Sequence, residues 1–166
     1  MALPDGITLR RAGPADAEAL AHLHLDVWDD AYTGLVPQGI LDDRRSRPDA
    51  RVERWRETLT SSPDATWLAE DAGRLVGFAG VGPARDNDVD IDLELYALYV
   101  RKAYYGTGLG YALFEHVAGD RACYLWVLAG NERAIGFYER QGFRLDGTED
   151  VHDEGLHVRM VRAGLS

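Results

Sequence analysis

Residues 99–117 read YVRKAYYGTGLGYALFEHV and set Gly106, Gly108 and Gly110 between a strand-like run and a helix-like one. Each glycine costs backbone entropy, and each permits positive φ or a very close approach of another group. Strand, short glycine loop and helix together aim successive N–H groups and a positive helix end at an anion. The loop is not a Walker loop, because no GKS or GKT follows. It is not G-x-G-x-x-G either, and three strand-like runs precede the one that leads into it, where a dinucleotide fold would place the loop first. On spacing alone, a phosphate cradle and a plain turn both remain open.

Working outward, "VDIDLELYALYV" (89–100) is the longest strand-like run, and "ACYLWVL" (122–128) is another. Residues 132–141 read as a helix ended by Gly142, and residues 109–117 as the helix after the glycine loop. "FRLDGTE" and "LHVRMVR" read as closing strands with "DEG" turning between them. Upstream, "ITLRRA" is a first strand, and Pro14 opens a helix with Ala17, Leu20, Ala21, Leu23, His24, Val27 and Trp28 at helical spacing. "GLVPQGILDD" breaks that helix, and residues 51–59 form a second one with Val52, Trp55 and Leu59 on one face. "ATWLAE" and "RLVGFAGVG" make a hairpin around Gly73. The order β-α-α-β-β-β-α-β-α-β-β predicts an α/β fold around a mixed sheet.

The 166 residues carry no repeat, linker or low-complexity tract, so a single domain over 1–166 is expected. The lone cysteine, Cys123, excludes an intrachain disulfide and suits a reducing compartment. No signal-peptide pattern opens the chain and no run is long enough to span a bilayer, so a soluble cytoplasmic protein is expected, with no membrane partner. A net charge of −10 argues against non-specific nucleic-acid binding.

Two motifs carry a resemblance. "LELYALYVRKAYYGTGLG" (93–110) and "LWVLAGNERAIGFYERQGF" (125–143) together resemble the GCN5-related N-acetyltransferase (GNAT) family. In that family a strand runs into Q/R-x-x-G-x-G/A. Here the segment is Tyr105-Gly106-Thr107-Gly108-Leu109-Gly110, with tyrosine in place of the usual glutamine or arginine. Asn131, Ala134, Phe137, Tyr138, Gly142 and Phe143 fall on N-x-x-A-x-x-F-Y-x-x-x-G-F. As an order of elements the resemblance extends over residues 7–162. It implies a mixed, mostly antiparallel central sheet flanked by helices on both faces, the acyl-CoA N-acyltransferase-like fold. It also implies acetyl-CoA as cosubstrate, no metal, and acetyl transfer to a primary amine of a small molecule or peptide. Direct attack in a ternary complex is the mechanism implied. A non-catalytic CoA-binding or sensing module, or a transferase of another acyl-CoA, stays open as an alternative.

The resemblance also implies site residues. The cofactor-binding set is Leu98, Val100, Tyr105, Gly106, Thr107, Gly108, Gly110, Tyr111, Asn131 and Tyr138. The loop backbone holds the pyrophosphate, the Leu98 N–H meets the acetyl carbonyl, and Val100 lies beside the pantetheine arm. Tyr138 is the implied acid at the departing thiolate, although a tyrosine beside Phe137 also reads as helix packing. Glu94 matches a strand glutamate that takes the amine's proton in several members. Strand alternation sets it on one face with Asp88, Asp90 and Asp92 unless a bulge intervenes, so base and solvated bystander both stand. Substrate contacts are expected from Trp28, Tyr32 and Glu94. Asp26, Asp29 and Asp30 add negative charge near them, which would suit an ammonium-bearing acceptor. The identity of that acceptor is not legible. A homodimer is conceivable because a mixed sheet leaves edges to cover.

Other chemistries are set aside. Asp86, Asn87, Asp88 and Asp90 begin like an EF-hand loop, but Ile91 stands where glycine is required and Ala97 where glutamate should sit. The five histidines, His22, His24, His116, His152 and His157, show no metal spacing, and nothing in the sequence selects one as a proton relay. Cys123 sits within a strand with no paired histidine near it, and reads as packing.

Overall fold

The computed structural model describes residues 3–164. Among them, seven strands and five α-helices follow in the order β1 (Ile7–Arg11), α1 (Ala17–Tyr32), α2 (Gln38–Arg45), α3 (Pro48–Ser61), β2 (Thr66–Asp71), β3 (Arg74–Pro83), β4 (Leu93–Val100), α4 (Leu109–Val117), β5 (Cys123–Leu128), α5 (Glu132–Arg140), β6 (Arg144–His152) and β7 (Gly155–Arg162). The strands form one sheet in the order β1-β2-β3-β4-β5-β7-β6. Only the β4–β5 pair is parallel; every other neighbour is antiparallel. No described helix is long and apolar enough to cross a membrane.

Helices cover both faces. On one side, Leu20, Leu23 and Val27 of α1 and Leu59 of α3 pack on Leu68, Leu75 and Phe78 of the sheet. On the other, Leu109, Leu113 and Phe114 of α4 join Tyr138 of α5 over Ala79, Leu95, Leu125 and Met160. The close seat of α4 needs a glycine beneath it, since a Cβ at Gly77 would fall 2.9 Å from the Tyr99 carbonyl oxygen and 3.2 Å from Leu113. In α5 the Asn131 side chain accepts from the Ala134 N–H at 3.2 Å, and Gly142 at φ +93° takes the chain away from the helix end.

The centre of the sheet is deliberately incomplete in its pairing. β4 and β5 share a single in-register pair, Glu94 with Tyr124, and their later residues do not pair. Two residues beyond Glu94, on its pairing with β3, β4 carries a bulge: Gly80 faces Ala97 while Val81 faces Leu95, leaving Tyr96 as the extra residue. The edge of β4 that looks toward β5 therefore has no strand partner beyond Glu94.

Three expectations change. "GLVPQGILDD" does not merely break the first helix, because α2 forms over its second half and beyond, with only Leu41 buried. The third helix begins at Pro48, a residue that suits a helix's first turn, rather than at residue 51. The strand expected from Val89 starts at Leu93, since Asp86 and Asp88 are drawn out to Arg159 at 2.9 and 2.6 Å. The alternation that set Asp88, Asp90 and Asp92 beside Glu94 on a strand face therefore does not occur.

Candidate active site

Divergence of β4 and β5 opens a cleft of about 350 Å³. Leu98, Tyr99 and Val100 of β4 form one wall, and Asn131, Ala134, Phe137 and Tyr138 of α5 another. Trp28 and Tyr32 of α1 close a third side, and His152, Glu154 and His157 reach in from the β6–β7 hairpin.

At one end lies the glycine loop. Gly106 and Gly108 take φ of +76° and +90°, values that disfavour any side chain. The Gly106 site is otherwise open, so its glycine answers to backbone angle and not to crowding. Thr107 accepts from the Leu109 N–H at 3.3 Å. The N–H groups of Gly106, Gly108, Gly110 and Tyr111 find no acceptor among the described residues. Four free donors at the start of α4 make a nest for an anion. Tyr105, the departure from the family pattern, lies under the Arg133 guanidinium, 3.8 Å from carbon to ring centroid. A cation thus arrives at this end from α5 rather than from the loop.

Midway along the cleft three phenols gather. The Tyr32 and Tyr99 hydroxyls are 2.8 Å apart, and Tyr32 stacks edgewise on Trp28 at 4.7 Å. Tyr138 is 8% exposed, and its hydroxyl has no hydrogen-bond partner among the described residues. Burial, reinforced by the Tyr32 phenol, pushes Tyr138 well above the ordinary tyrosine range, so it remains a proton donor at every working pH. Burial likewise pushes Tyr99 up to about 12.

Glu94 is not on the cleft wall. It is 1% exposed and accepts from the Arg85 backbone N–H at 3.0 Å, the Arg85 guanidinium at 2.6 and 3.2 Å, and the Tyr124 hydroxyl at 2.7 Å. Burial alone would raise its pKa, but the hydrogen bonds from Arg85 and Tyr124 outweigh that and hold it below the usual carboxylate range. A carboxylate so saturated has no lone pair turned toward a substrate and little proton affinity.

The aspartates expected to attract an ammonium are already committed. Asp26 pairs with Arg45 at 2.9 Å and Arg101 at 2.8 Å, Asp29 pairs with Arg45 at 2.5 Å, and Asp30 accepts from the Lys102 N–H at 2.9 Å. Trp28 and Tyr32 do line the cleft.

The histidines separate cleanly. His24 is enclosed among Trp28, Trp55, Phe78 and Tyr99 and accepts from Trp55 Nε1 at 3.3 Å. His116 packs on Trp67. His157 has Nδ1 3.2 Å from the Gly155 carbonyl oxygen, which can only accept. Its Nδ1 therefore carries the hydrogen, and Nε2 is left to accept a proton, with Glu154 at 3.8 Å. Cys123 is wholly buried, and burial pushes its thiol up to about 11, as packing requires. Among the described residues no group of three or more His, Cys, Asp or Glu is placed to hold a metal. Tyr99, Arg133, Glu154 and His157 are the cleft residues that motif matching missed. For Tyr99, strand parity with Ala97 toward Trp28 and Tyr32 was the available signal.

Known proteins resemble this chain in sequence and fold. A probable N-acetyltransferase of Mycobacterium tuberculosis is 32% identical over 87% of this chain and 83% of its own. An uncharacterized N-acetyltransferase of Bacillus subtilis, YuaI, is 28% identical over 96% of this chain and 91% of its own. The crystal structure of the PaiA N-acetyltransferase of Thermoplasma acidophilum in complex with coenzyme A superposes with a TM-score of 0.71 at 19% identity, covering 96% of this chain and 99% of that one. The model of the acetyltransferase (GNAT) family matches residues 24–143, a stretch that holds the glycine loop, the split in the sheet and Tyr138, and the chain belongs to that family.

Proposed function

We propose that the chain, read as one domain, is an acetyl-CoA-dependent N-acetyltransferase acting on a primary amine by direct attack in a ternary complex. One observation carries the reading: a single cleft is lined by the unpaired strand edge, by Tyr138 and by Gly110, one of four neighbouring residues whose N–H groups have no acceptor among the described residues. Acetyl-CoA supplies the acetyl group as an activated thioester. The N–H groups of Gly106, Gly108, Gly110 and Tyr111 hold the pyrophosphate, with Arg133 adding charge. The β4 edge at Leu98 and Val100 pairs with the pantetheine arm, and Asn131 supports it from α5. The Leu98 N–H donates to the acetyl oxygen where negative charge develops.

Tyr138 gives its proton to sulfur as the carbon–sulfur bond breaks. His157 Nε2 takes the proton released as the carbon–nitrogen bond forms, and Glu154 steadies the imidazolium. The products are an amide and a free thiol, and each side chain recovers its starting proton state from solvent. Glu94 is left out of the chemistry and pins the two halves of the sheet together.

The sequestered Glu94 also favours a second reading, a CoA-binding module without turnover. Calorimetric titration with acetyl-CoA, CoA and ATP, followed by thiol release across an amine panel, separates the two. Saturable binding of acetyl-CoA but not ATP, with thiol release, supports the enzyme. Binding without release from any amine supports the module, and no binding sinks both.

A further inference from the structure

One cation near the cleft has no partner. Arg44 stands in the last turn of α2, its guanidinium carbon 3.5 Å from the centroid of the Trp28 ring. Its Nε and Nη2 are shielded from solvent and make no hydrogen bond within the described residues. Of the carboxylates on its recess, Asp43 pairs with Arg47 at 3.8 Å, and Glu154 favours the Arg44 charge through space without a hydrogen bond or ion pair to it among the described residues. Burial, with Arg51 beside it, lowers the Arg44 pKa to about 10, so the group stays charged at neutral pH although its surroundings penalise the charge. A buried guanidinium whose N–H groups lack acceptors favours an anion that can reach and accept from them.

A recess leads to it. Trp28, Gly39, Ile40, Asp43, Arg44, Asp153 and Glu154 line this recess, and Trp28 and Glu154 are also walls of the main cleft. The recess thus adjoins the cleft beside Glu154, which stands 3.8 Å from His157 Nε2. We propose that Arg44 receives a carboxylate carried by the acceptor, so that the acceptor is an amino acid whose amine is presented to His157. The inference rests on the transferase reading of the cleft. Two features favour a carboxylate over a phosphate. The Trp28 ring holds the guanidinium flat, which suits a planar two-oxygen partner. Asp43, Asp153 and Glu154 on the rim would repel a dianion more than a monoanion.

The test has two arms. In the first, the arginine Nε–H signals of the labelled protein are followed by NMR during addition of each of the twenty L-amino acids, their decarboxylated amines and phosphoethanolamine. The Arg44 signal is assigned by its loss in Arg44→Met, which keeps the stem packed on Trp28, with folding checked by thermal melting. The proposal expects a saturable shift of that signal by at least one amino acid and none by its decarboxylated amine. No shift from any amino acid, or a shift from phosphoethanolamine alone, overturns it, whether or not acetyl-CoA binds.

In the second arm, thiol release is compared for each responding amino acid and its decarboxylated amine. The amino acid is expected to lead in kcat/KM by about tenfold or more. Arg44→Met should collapse that ratio, and Arg44→Lys should restore part of it. An unchanged ratio in folded Arg44→Met overturns the proposal and assigns the charge to Glu154 within the protein. A saturable Arg44 shift without thiol release from any acceptor upholds the carboxylate site and fails the transferase reading instead.

Discussion

Glu94 and Tyr124 are the one in-register pair between β4 and β5, and the Tyr124 hydroxyl donates to the Glu94 carboxylate at 2.7 Å across that same pair. Backbone and side chains thus join the diverging strands at one point. Glu94→Ala is expected to leave the Tyr124 O–H and the Arg85 guanidinium without their acceptor and cost about 1–3 kcal/mol of stability by denaturant unfolding. Glu94→Gln should keep most of the turnover. A fall in kcat of ~10²-fold or more in a folded Glu94→Gln protein would restore the carboxylate as the base.

Gly110 lies in the first turn of α4 without positive φ, and a Cβ there would meet Phe137 at an ordinary 3.8 Å. Gly110→Asp should therefore fold with an unchanged or slightly higher Tm, because an acidic residue suits a helix start by about 0.3–1 kcal/mol. Its charge beside the pyrophosphate should weaken acetyl-CoA binding by more than about tenfold, measured by calorimetry. Undiminished affinity would remove the loop from the binding site.

Tyr138→Phe keeps the ring that packs on Phe137 and Phe143 and loses only the hydroxyl. Acetyl-CoA affinity should hardly move, while kcat falls by roughly 10²-fold or more. Full turnover in this variant excludes Tyr138 as the proton donor.

His24 supplies the pH dependence of stability. Its pKa is lowered to about 3, first by burial and then by Arg44 and Arg51, against about 6.5 in the unfolded chain. Below 6.5 the unfolded state takes up a proton that the folded state refuses until about 3. Its contribution is therefore complete above 6.5 and lost progressively as pH falls toward 3, with a slope of at most about 1.4 kcal/mol per pH unit from this group. Glu94, also held low, adds its own loss at the acid end. Urea melts between pH 7 and 4 should show the decline, and His24→Gln should flatten it. An equally steep decline in that variant would assign the titration to other groups.

The sequence was most legible where structure is decided locally. Asn131 caps α5 and Gly142 ends it within a dozen residues, and Gly106 and Gly108 declare a loop that only glycine tolerates. α2 was hidden because a helix that buries Leu41 alone has almost no apolar period to display. The acidic alternation of "DVDID" imitates a strand, and only Arg159, more than 70 residues on, shows why it is not one. Glu94 is the sharper case. Its position in the motif was readable, but its environment depends on Arg85 and Tyr124, which no local pattern links to it. His157 and Glu154 reach the cleft, and Arg44 the recess beside it, from distant segments, so their meeting belongs to tertiary structure.

The parting of β4 from β5 also bears on how the molecule avoids unwanted company. An unpaired strand edge at the rim of a sheet is a template for another polypeptide, and proteins blunt such edges to stay apart. Here the rims are β1 and β6, while the bare edge of β4 lies in the middle of the sheet, walled by α5 and the β6–β7 hairpin. That enclosure leaves less room for a neighbouring chain to add a strand than an open rim would. The fold keeps strand-recruiting groups permanently on offer, but away from its rims.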